Sequence, residues 1–346
     1  MQHRPLATGP MALNQPLLSL RDVTVAFHTA HGELPVTRKV AFDIARGERV
    51  GLVGESGCGK TVTGLAVMRL LPPQVARIAG RIDFGGRDLA QLPEREMRAV
   101  RGRDIAMIFQ EPMSALDPVF TVGTQISEAW LAHHPGHPAQ ARLRAIEALA
   151  QVGIAQPARR YGEYPHHLSG GMRQRVMIAM AIICAPRLLI ADEPTTALDV
   201  TVQAQIITLL RDLSERTGMA LLFITHDLGV VAETCTRMLT MYAGEVVEDA
   251  ATDAALMRPR HPYTSGLLRS LPRLTPWRAR LGSIPGRVPA PGAMPAGCRY
   301  RARCTFAAPA CSAEQGLLQI GGAPVAPHWA RCVRAQELEL AGAVSP

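Results

Sequence analysis

The chain has 346 residues, of which 47% are hydrophobic and 19% charged, with a formal net charge of +8. That length buries a substantial core and sets an expectation of about two domains, and the balance is globular rather than disordered. Met1–Gln15 is a polar leader without a secretory apolar core, and the longest apolar run, Val176–Pro186, falls short of the roughly 20 residues of a membrane span, so no segment is expected to insert in a bilayer.

The charge is unevenly placed. From Arg258 onward twelve arginines stand against three glutamates, which leaves the preceding chain near neutral. Such a tail faces nucleic acid, acidic lipid, an acidic protein or only solvent. It lacks the aromatic–basic interleaving that stacks bases. Lysine occurs twice, at Lys39 and Lys60. Lys60 stands out, because a compact ammonium in a phosphate loop has no substitute in a planar guanidinium.

In chain order, Leu18–Phe27, Val40–Ile44 and Arg49–Val53 read as strands, followed by a glycine-rich turn and a helix, Thr61–Leu71, stopped by Pro72-Pro73. Arg81–Phe84 and Asp104–Phe109 are strand-like, and Pro118–Arg160 carries apolar residues at helical spacing, among them Ile126, Trp130, Leu143, Ile146 and Leu149. Ser169–Cys184 is a helix, Arg187–Ala191 a buried strand, Val200–Arg216 an amphipathic helix and Met219–Ile224 a second buried strand. Strands alternating with helices predict an α/β fold on a largely parallel sheet. A Pro-rich stretch, Leu271–Pro295, separates this core from a cysteine-bearing tail, Gly297–Val333.

Gly54-Glu55-Ser56-Gly57-Cys58-Gly59-Lys60-Thr61 fits the phosphate-loop pattern, placed between a predicted strand and a predicted helix as that pattern requires. Its N–H groups cradle phosphates, Lys60 reaches the β/γ oxygens and Thr61 holds Mg²⁺. Cys58 reads as a small filler. Leu188–Glu193 is an apolar strand ending in two acids: Asp192 is delivered to the Mg²⁺ shell, and Glu193 is placed to orient or deprotonate the attacking water. Gln110 and His226 follow two other strands; Gln110 is placed to sense Mg²⁺ or water, and His226 to contact the γ-phosphate. Asp199 precedes a helix and is read either as its N-cap or as a nucleotide contact.

Leu168-Ser169-Gly170-Gly171-Met172-Arg173-Gln174-Arg175-Val176 opens an apolar helix with two glycines, which bring backbone N–H groups and a positive helix end close to an anion. One core does not readily bring two such phosphate-gripping turns together, so the expectation is a dimer with ATP in the seam.

As an ordered set, the phosphate loop, Gln110, Leu168–Gly171, Asp192-Glu193, Asp199 and His226 resemble the ATP-binding subunit of an ABC transporter. The loop continued by Val62-Thr63, with Gly170–Ala181, resembles more narrowly the D-type ATPases of dipeptide, oligopeptide and nickel importers. The resemblance spans about Leu17 to Val333. It implies a P-loop ABC ATPase core over residues 17–257 after a leader (1–16), with a helical subdomain at about 112–185 and a small Cys-rich extension over 258–346. It implies ATP and Mg²⁺ as ligands, with Lys60, Thr61, Gln110, Asp192, Glu193 and His226 acting from one subunit, and Ser169 and Gly171 completing the opposite site. Phe27 matches the position where the family stacks adenine; an ordinary core residue is the alternative. The implied partners are two integral-membrane permeases, whose coupling helix meets the Gln110–Pro118 region, a second ATPase (itself or a paralogue) and, indirectly, a periplasmic or extracellular solute-binding protein. The implied place is the cytoplasmic face of the cell membrane. Nickel or another small solute is the alternative cargo. A nucleic-acid-directed ABC ATPase is the rival class, against which stands the 57-residue interval 111–167 without heptads.

Cys298, Cys304, Cys311 and Cys332 follow C-x5-C-x6-C-x20-C. The tail, with His261-Pro262-Tyr263-Thr264 and Ser283-Ile284-Pro285-Gly286, resembles the extension of the peptide-importer ATPases, some of which hold a [4Fe–4S] cluster on such cysteines. An Fe–S cluster, zinc and free buried thiols are the three readings. His261 reads as a helix-start residue.

Overall fold

The computed structural model describes residues 15–30, 32–110, 115–196, 198–270, 283–323 and 326–343. An antiparallel sheet begins the chain: β1 (Leu18–Thr29) pairs with β2 (Gly32–Pro35), β3 (Val40–Ile44) and β5 (Ala76–Phe84), and β5 pairs with β6 (Arg87–Asp88). The second sheet has eight strands in the order β12-β13-β11-β10-β4-β9-β8-β7. Here β4 is Arg49–Val53, β7 Ile105–Ile108, β8 Leu188–Asp192, β9 Ala220–Thr225, β10 Arg237–Tyr242, β11 Glu245–Ala251, β12 Leu318–Ala323 and β13 Ala326–Ala330.

The middle of that sheet, from β10 through β4, β9 and β8 to β7, is wholly parallel. Every residue of β8 and β9 is buried. Their uninterrupted apolar runs are what a sheet covered on both faces demands. Alternate residues feed two cores: Leu189, Ala191, Leu221 and Phe223 face one, while Leu188, Ile190, Leu222 and Ile224 face the other.

The helices are α1 (Lys60–Val67), α2 (Glu94–Val100), α3 (Val122–Leu131), α4 (Pro138–Gln151), α5 (Pro157–Arg160), α6 (Gly170–Ile182), α7 (Val200–Thr217), α8 (Leu228–Thr234), α9 (Thr252–Met257) and α10 (Pro262–Arg269). The continuous helical pattern from Pro118 to Arg160 is thus three helices. Pro138 and Pro157 each open one, where a missing N–H costs nothing and the fixed φ suits the first turn. Ile126, Leu149, Val176 and Ile178 bury the shared face of α3, α4 and α6 in the first core.

Several elements were not legible in the sequence, among them β2, α2, α8 and the strands at one edge of the parallel sheet. The hairpin β10–β11 joins the parallel sheet at its edge, and β13 pairs in turn with β11, Glu248 opposite Ala330 and Asp249 opposite Trp329. The sheet therefore continues across the boundary drawn at residue 258. A third apolar cluster, centred on Tyr242, Tyr263 and Tyr300, packs the extension against β10 and β11. The leader through residue 14 and residues 271–282 of the Pro-rich stretch lie outside the described residues.

Candidate nucleotide site

The site forms where four parallel strands end side by side. Val53 of β4 lies beside Thr225 of β9, Ile224 beside Asp192 of β8, and Ala191 beside Ile108 of β7. Ligands of open parallel sheets collect at this carboxyl edge. The residues that leave it are Gly54, His226, Glu193 and, one residue past Phe109, Gln110.

Gly54 cannot carry a side chain: its φ is 156°, and a Cβ would lie 2.2 Å from the Met241 carbonyl oxygen and 2.8 Å from Cys58 Sγ. Cys58 is buried against it, its thiol pKa raised by that burial, which matches a packing role. The loop is held from behind as well, by an N–H of Gly244 donating to the Cys58 carbonyl at 2.8 Å. Lys60 opens α1 and is 5% exposed; its ammonium donates to the carbonyls of Gly54 (2.8 Å) and Glu55 (3.1 Å), inside its own loop. Ser56 and Gly57 face solvent.

Thr61 Oγ1 donates to Asp192 Oδ1 at 3.1 Å. Burial pushes the Asp192 carboxyl up to about 6, with Glu193 adding to the rise while the Thr61 bond and Lys60 oppose it. A hydroxyl and a carboxylate are the hard oxygen donors that suit Mg²⁺, which takes few protein ligands and completes its shell with phosphate and water.

Glu193 gathers the remaining residues. Its Oε2 accepts from Gln110 Nε2 at 3.2 Å and Thr196 Oγ1 at 3.0 Å, while its Oε1 meets His226 Nδ1 at 3.2 Å. Its backbone is in the left-handed region, φ 45°, pinned by its N–H to Ile224 O at 2.8 Å. A bulky residue in that region is uncommon, and here it is held by a cluster of polar side chains. The sequence named Gln110, Glu193 and His226 separately; the structure makes them one hydrogen-bonded unit and adds Thr196, which an isolated Thr in a turn does not announce.

Ser169, Gly170 and Gly171 are at the start of α6. Ser169 Oγ caps that helix, accepting from Met172 N at 3.4 Å, and the turn is largely exposed. At Gly171 an added Cβ would lie 2.7 Å from Val202 Cγ1, so the close approach that demands glycine within the chain is to α7. Asp199 caps α7 through Val202 N at 2.9 Å and is exposed. Phe27, on β1 between Leu34 and Ala76, is half-buried against the second core.

The extension reaches the phosphate loop through residues that no spacing had pointed to. Arg303 clamps both oxygens of Glu55, at 2.6 and 3.0 Å, and Tyr263 Oη accepts the Glu55 N–H at 2.8 Å. His261 caps α10 as expected of a helix start, accepting from Tyr263 N at 3.1 Å.

Among the described residues, three more of the tail's arginines bond within the chain. Arg299 pairs with Glu245 at 3.5 Å, Arg331 donates to the carbonyls of Val246 and Gln315, and Arg334 to Phe306 O and Glu337.

The four tail cysteines gather near the same cluster: Cys298, Cys304 and Cys311 all act electrostatically on Cys332, and burial raises the Cys298 and Cys332 thiols to about 11. All four are free, and among the described residues no three His, Cys, Asp or Glu side chains form a group able to hold a metal ion. The expectation of an iron–sulfur cluster or zinc on Cys298, Cys304, Cys311 and Cys332 is therefore not supported.

A phosphate loop and an Asp-Glu pair at the strand ends of one parallel sheet, with a Ser-Gly-Gly turn opening a helix beside it, define an ATP-binding cassette. The ABC transporter family matches residues 37–196, and the oligopeptide/dipeptide transporter C-terminal region matches residues 247–311. The chain is 51% identical over 328 residues to a probable peptide ABC transporter ATP-binding protein, y4tR, of Sinorhizobium fredii, covering 93% of this chain and 96% of that one. It is 48% identical over 304 residues to the dipeptide transport ATP-binding protein DppD of Escherichia coli, covering 88% and 93%. Among solved structures it is similar to the dimeric ATP-binding cassette MJ0796 in a post-hydrolysis state bound to ADP and Pi, with a TM-score of 0.61, 27% identity, and coverage of 68% of this chain and 98% of that one. The chain belongs to the ABC transporter ATP-binding family and is an ABC-type ATPase.

Proposed function

We propose that this chain is the ATP-hydrolysing subunit of an importer of dipeptides and oligopeptides, working through separate membrane permeases on the cytoplasmic face of the cell membrane. The observation that carries the catalytic part is the convergence of Gln110, Thr196 and His226 on the Glu193 carboxylate, one residue beyond the Thr61–Asp192 pair. The similarity of the 247–311 segment to the oligopeptide/dipeptide transporter C-terminal region supports peptide as cargo.

In this reading the loop Gly54–Thr61 binds the nucleotide phosphates. Lys60 exchanges its two loop carbonyls for phosphate oxygens, and Phe27 stacks the base. Thr61 and Asp192, with Gln110, would hold Mg²⁺, which would supply neutralisation of the phosphate charge. Glu193 takes a proton from, or orients, the water that displaces ADP from the γ-phosphoryl group, and His226 fixes the carboxylate and contacts the γ-phosphate. Exposed Ser169, Gly170 and Asp199, with half-buried Gly171, at the starts of α6 and α7, serve the nucleotide of a second ATPase subunit. Closing the site thus needs two chains, and hydrolysis releases them.

The permease side has a counterpart too. An apolar groove of about 620 Å³ is lined by Met68, Leu70, Phe109, Ala129, Met177 and Met180, beside Gln110. Adaptable Met side chains suit a docking helix. Among the described residues no helix is long and apolar enough to cross a membrane, so coupling to the bilayer falls to the permeases.

The test is reconstitution with the cognate permeases in proteoliposomes and measurement of ATP turnover. Peptide-loaded binding protein is expected to stimulate it severalfold. Stimulation by nickel-loaded binding protein alone would reassign the cargo, and turnover surviving Lys60→Ala would remove the nucleotide site itself.

A further inference from the structure

We propose that Arg303, together with Tyr263, is a positioning residue for ATP binding: the C-terminal extension holds the phosphate loop in its phosphate-accepting shape through Glu55. The inference rests on the reading of Gly54–Thr61 as the nucleotide loop.

Glu55 is the second residue of the loop, and both of its handles are taken by the extension. Its carboxylate receives the planar fork of Arg303, with Nη1 at 2.6 Å and Nη2 at 3.0 Å; its N–H donates to Tyr263 Oη at 2.8 Å. A bidentate guanidinium–carboxylate pair fixes orientation as well as distance. The Arg303 side chain is 5% exposed, while that of Glu55 is 30% exposed, so the clamp is nearly dry on the extension's side.

Arg303 itself has little freedom. Nε donates to Pro285 O at 2.9 Å, Nη2 lies 3.4 Å from Gly286 O, and the guanidinium stands 5.8 Å from the centre of the Tyr242 ring. Tyr263 is fully buried and packs on Tyr242 and Tyr300 at 4.7 and 5.4 Å between ring centres. The two anchors are therefore rigid parts of the extension's aromatic cluster, not surface side chains that happen to meet.

The consequence lies in the next peptide units. Glu55 carbonyl oxygen accepts the Cys58 N–H at 3.3 Å and the Lys60 ammonium at 3.1 Å. Fixing Glu55 from outside thus sets the start of the turn whose inner N–H groups receive phosphate. A loop already in shape loses less freedom when a nucleotide binds, which appears as affinity rather than as chemistry. Nothing in the clamp touches Glu193, so the chemical step is left alone.

The experiment compares full-length wild type with Arg303→Ala, Arg303→Lys, Tyr263→Phe and Lys60→Ala. It measures the dissociation constant for Mg-ATP by calorimetry, Tm without nucleotide, and KM and kcat of the assembled ATPase. Arg303→Ala is expected to raise Kd and KM about tenfold with kcat within about twofold, and Arg303→Lys, which keeps the charge but not the fork, about threefold. Tyr263→Phe keeps the buried ring and removes only the hydroxyl; an increase of about threefold is expected, and this variant carries the test if Arg303→Ala does not fold. Unchanged Kd in both Arg303→Ala and Tyr263→Phe overturns the proposal even where Tm falls, since that is the signature of a clamp that merely staples the extension. Undiminished ATP binding in Lys60→Ala overturns the underlying reading of the loop instead, so the two failures are distinct.

Discussion

Replacing Glu193 by Gln is the sharpest perturbation of this site, because the structure lets the charge be removed with the contacts kept. Oε2 accepts from Gln110 Nε2 and Thr196 Oγ1, and an amide oxygen accepts both bonds equally well. At Oε1 the amide NH₂ donates to His226 Nδ1 once the imidazole carries its proton on Nε2. Little local structure is lost, so the deficit measures the carboxylate's action on the attacking water. General-base assistance is worth about 10²- to 10⁴-fold, or roughly 2.7–5.4 kcal/mol of barrier. Phosphate release at saturating Mg-ATP should fall by at least about a hundredfold, while ATP affinity and ATP-driven association, read by light scattering, stay near wild type. Turnover within about threefold of wild type would refute the assignment of Glu193. Loss of association with retained turnover would make the carboxylate an assembly residue.

Three further perturbations follow from the packing. Gly171→Ala places a methyl 2.7 Å from Val202 Cγ1; a loss of about 1–3 kcal/mol is expected in urea unfolding, and Val202→Ala should restore it if the clash is the cause. Arg237 donates to both oxygens of Asp249 at 2.6 and 2.7 Å and to Glu48 at 3.2 Å. Arg237→Ala strands a nearly buried carboxylate, and stability should drop by about 3 kcal/mol or more; a loss under about 1 kcal/mol would mean that water reaches Asp249. Complete burial, aided by the nearby Arg331, lowers the His261 pKa to about 3. The unfolded chain takes up this proton near pH 6.5 and the folded chain does not, so the stabilising difference is whole above pH 6.5 and is lost as pH falls towards 3. Between pH 7 and 5 this amounts to about 2 kcal/mol. His261→Asn keeps an N-cap acceptor and should flatten that slope in urea titrations at the two pH values; an unchanged slope would place the proton elsewhere.

The strands that build the site were legible because burial on both faces writes itself as an unbroken apolar run. Val40–Ile44 and Arg49–Val53 begin and end where read, and Leu188–Asp192 differs by one residue from the expected Arg187–Ala191. The opposite case is β11. Its seven residues include Glu245, Glu248 and Asp249, a composition that argues for a surface loop, yet all three are buried. Partners distant in sequence make this tolerable: Arg299 for Glu245, Arg237 for Asp249, and for Glu248 the His328 ring and the N–H groups of Arg260 and His261. A buried acid strand cannot be recognised before its counter-charges are known to converge, because an unpaired buried carboxylate is costly. The clamp on Glu55 was hidden for the same reason: Arg303 is 248 residues away, and no local pattern marks it. The nucleotide residues escaped this difficulty, since a phosphate loop and an Asp-Glu strand end are local motifs whose partner is a ligand.

The same geometry bears on how two sites in a dimer would be linked. In the proposed assembly Glu193 acts on one nucleotide, whereas Ser169–Gly171 acts on the other. Within the chain these two are joined by a short run of direct contacts. Glu193 accepts from Thr196, the turn that follows brings Asp199 to cap α7, and the first turn of α7 presses Val202 against Gly171. Val200, at the start of that helix, is 84% exposed and so leaves an apolar surface free for a partner. The glycine at 171 lets α6 and α7 meet without a gap, so a shift of the Glu193–Asp199 segment cannot be absorbed there by loose packing. Interfaces this tight move between discrete arrangements rather than deforming smoothly. Loss of the γ-phosphate contact at His226, passed to Glu193 through their mutual bond, would then be felt at the turn gripping the opposite nucleotide, which is the coupling that two-site release requires.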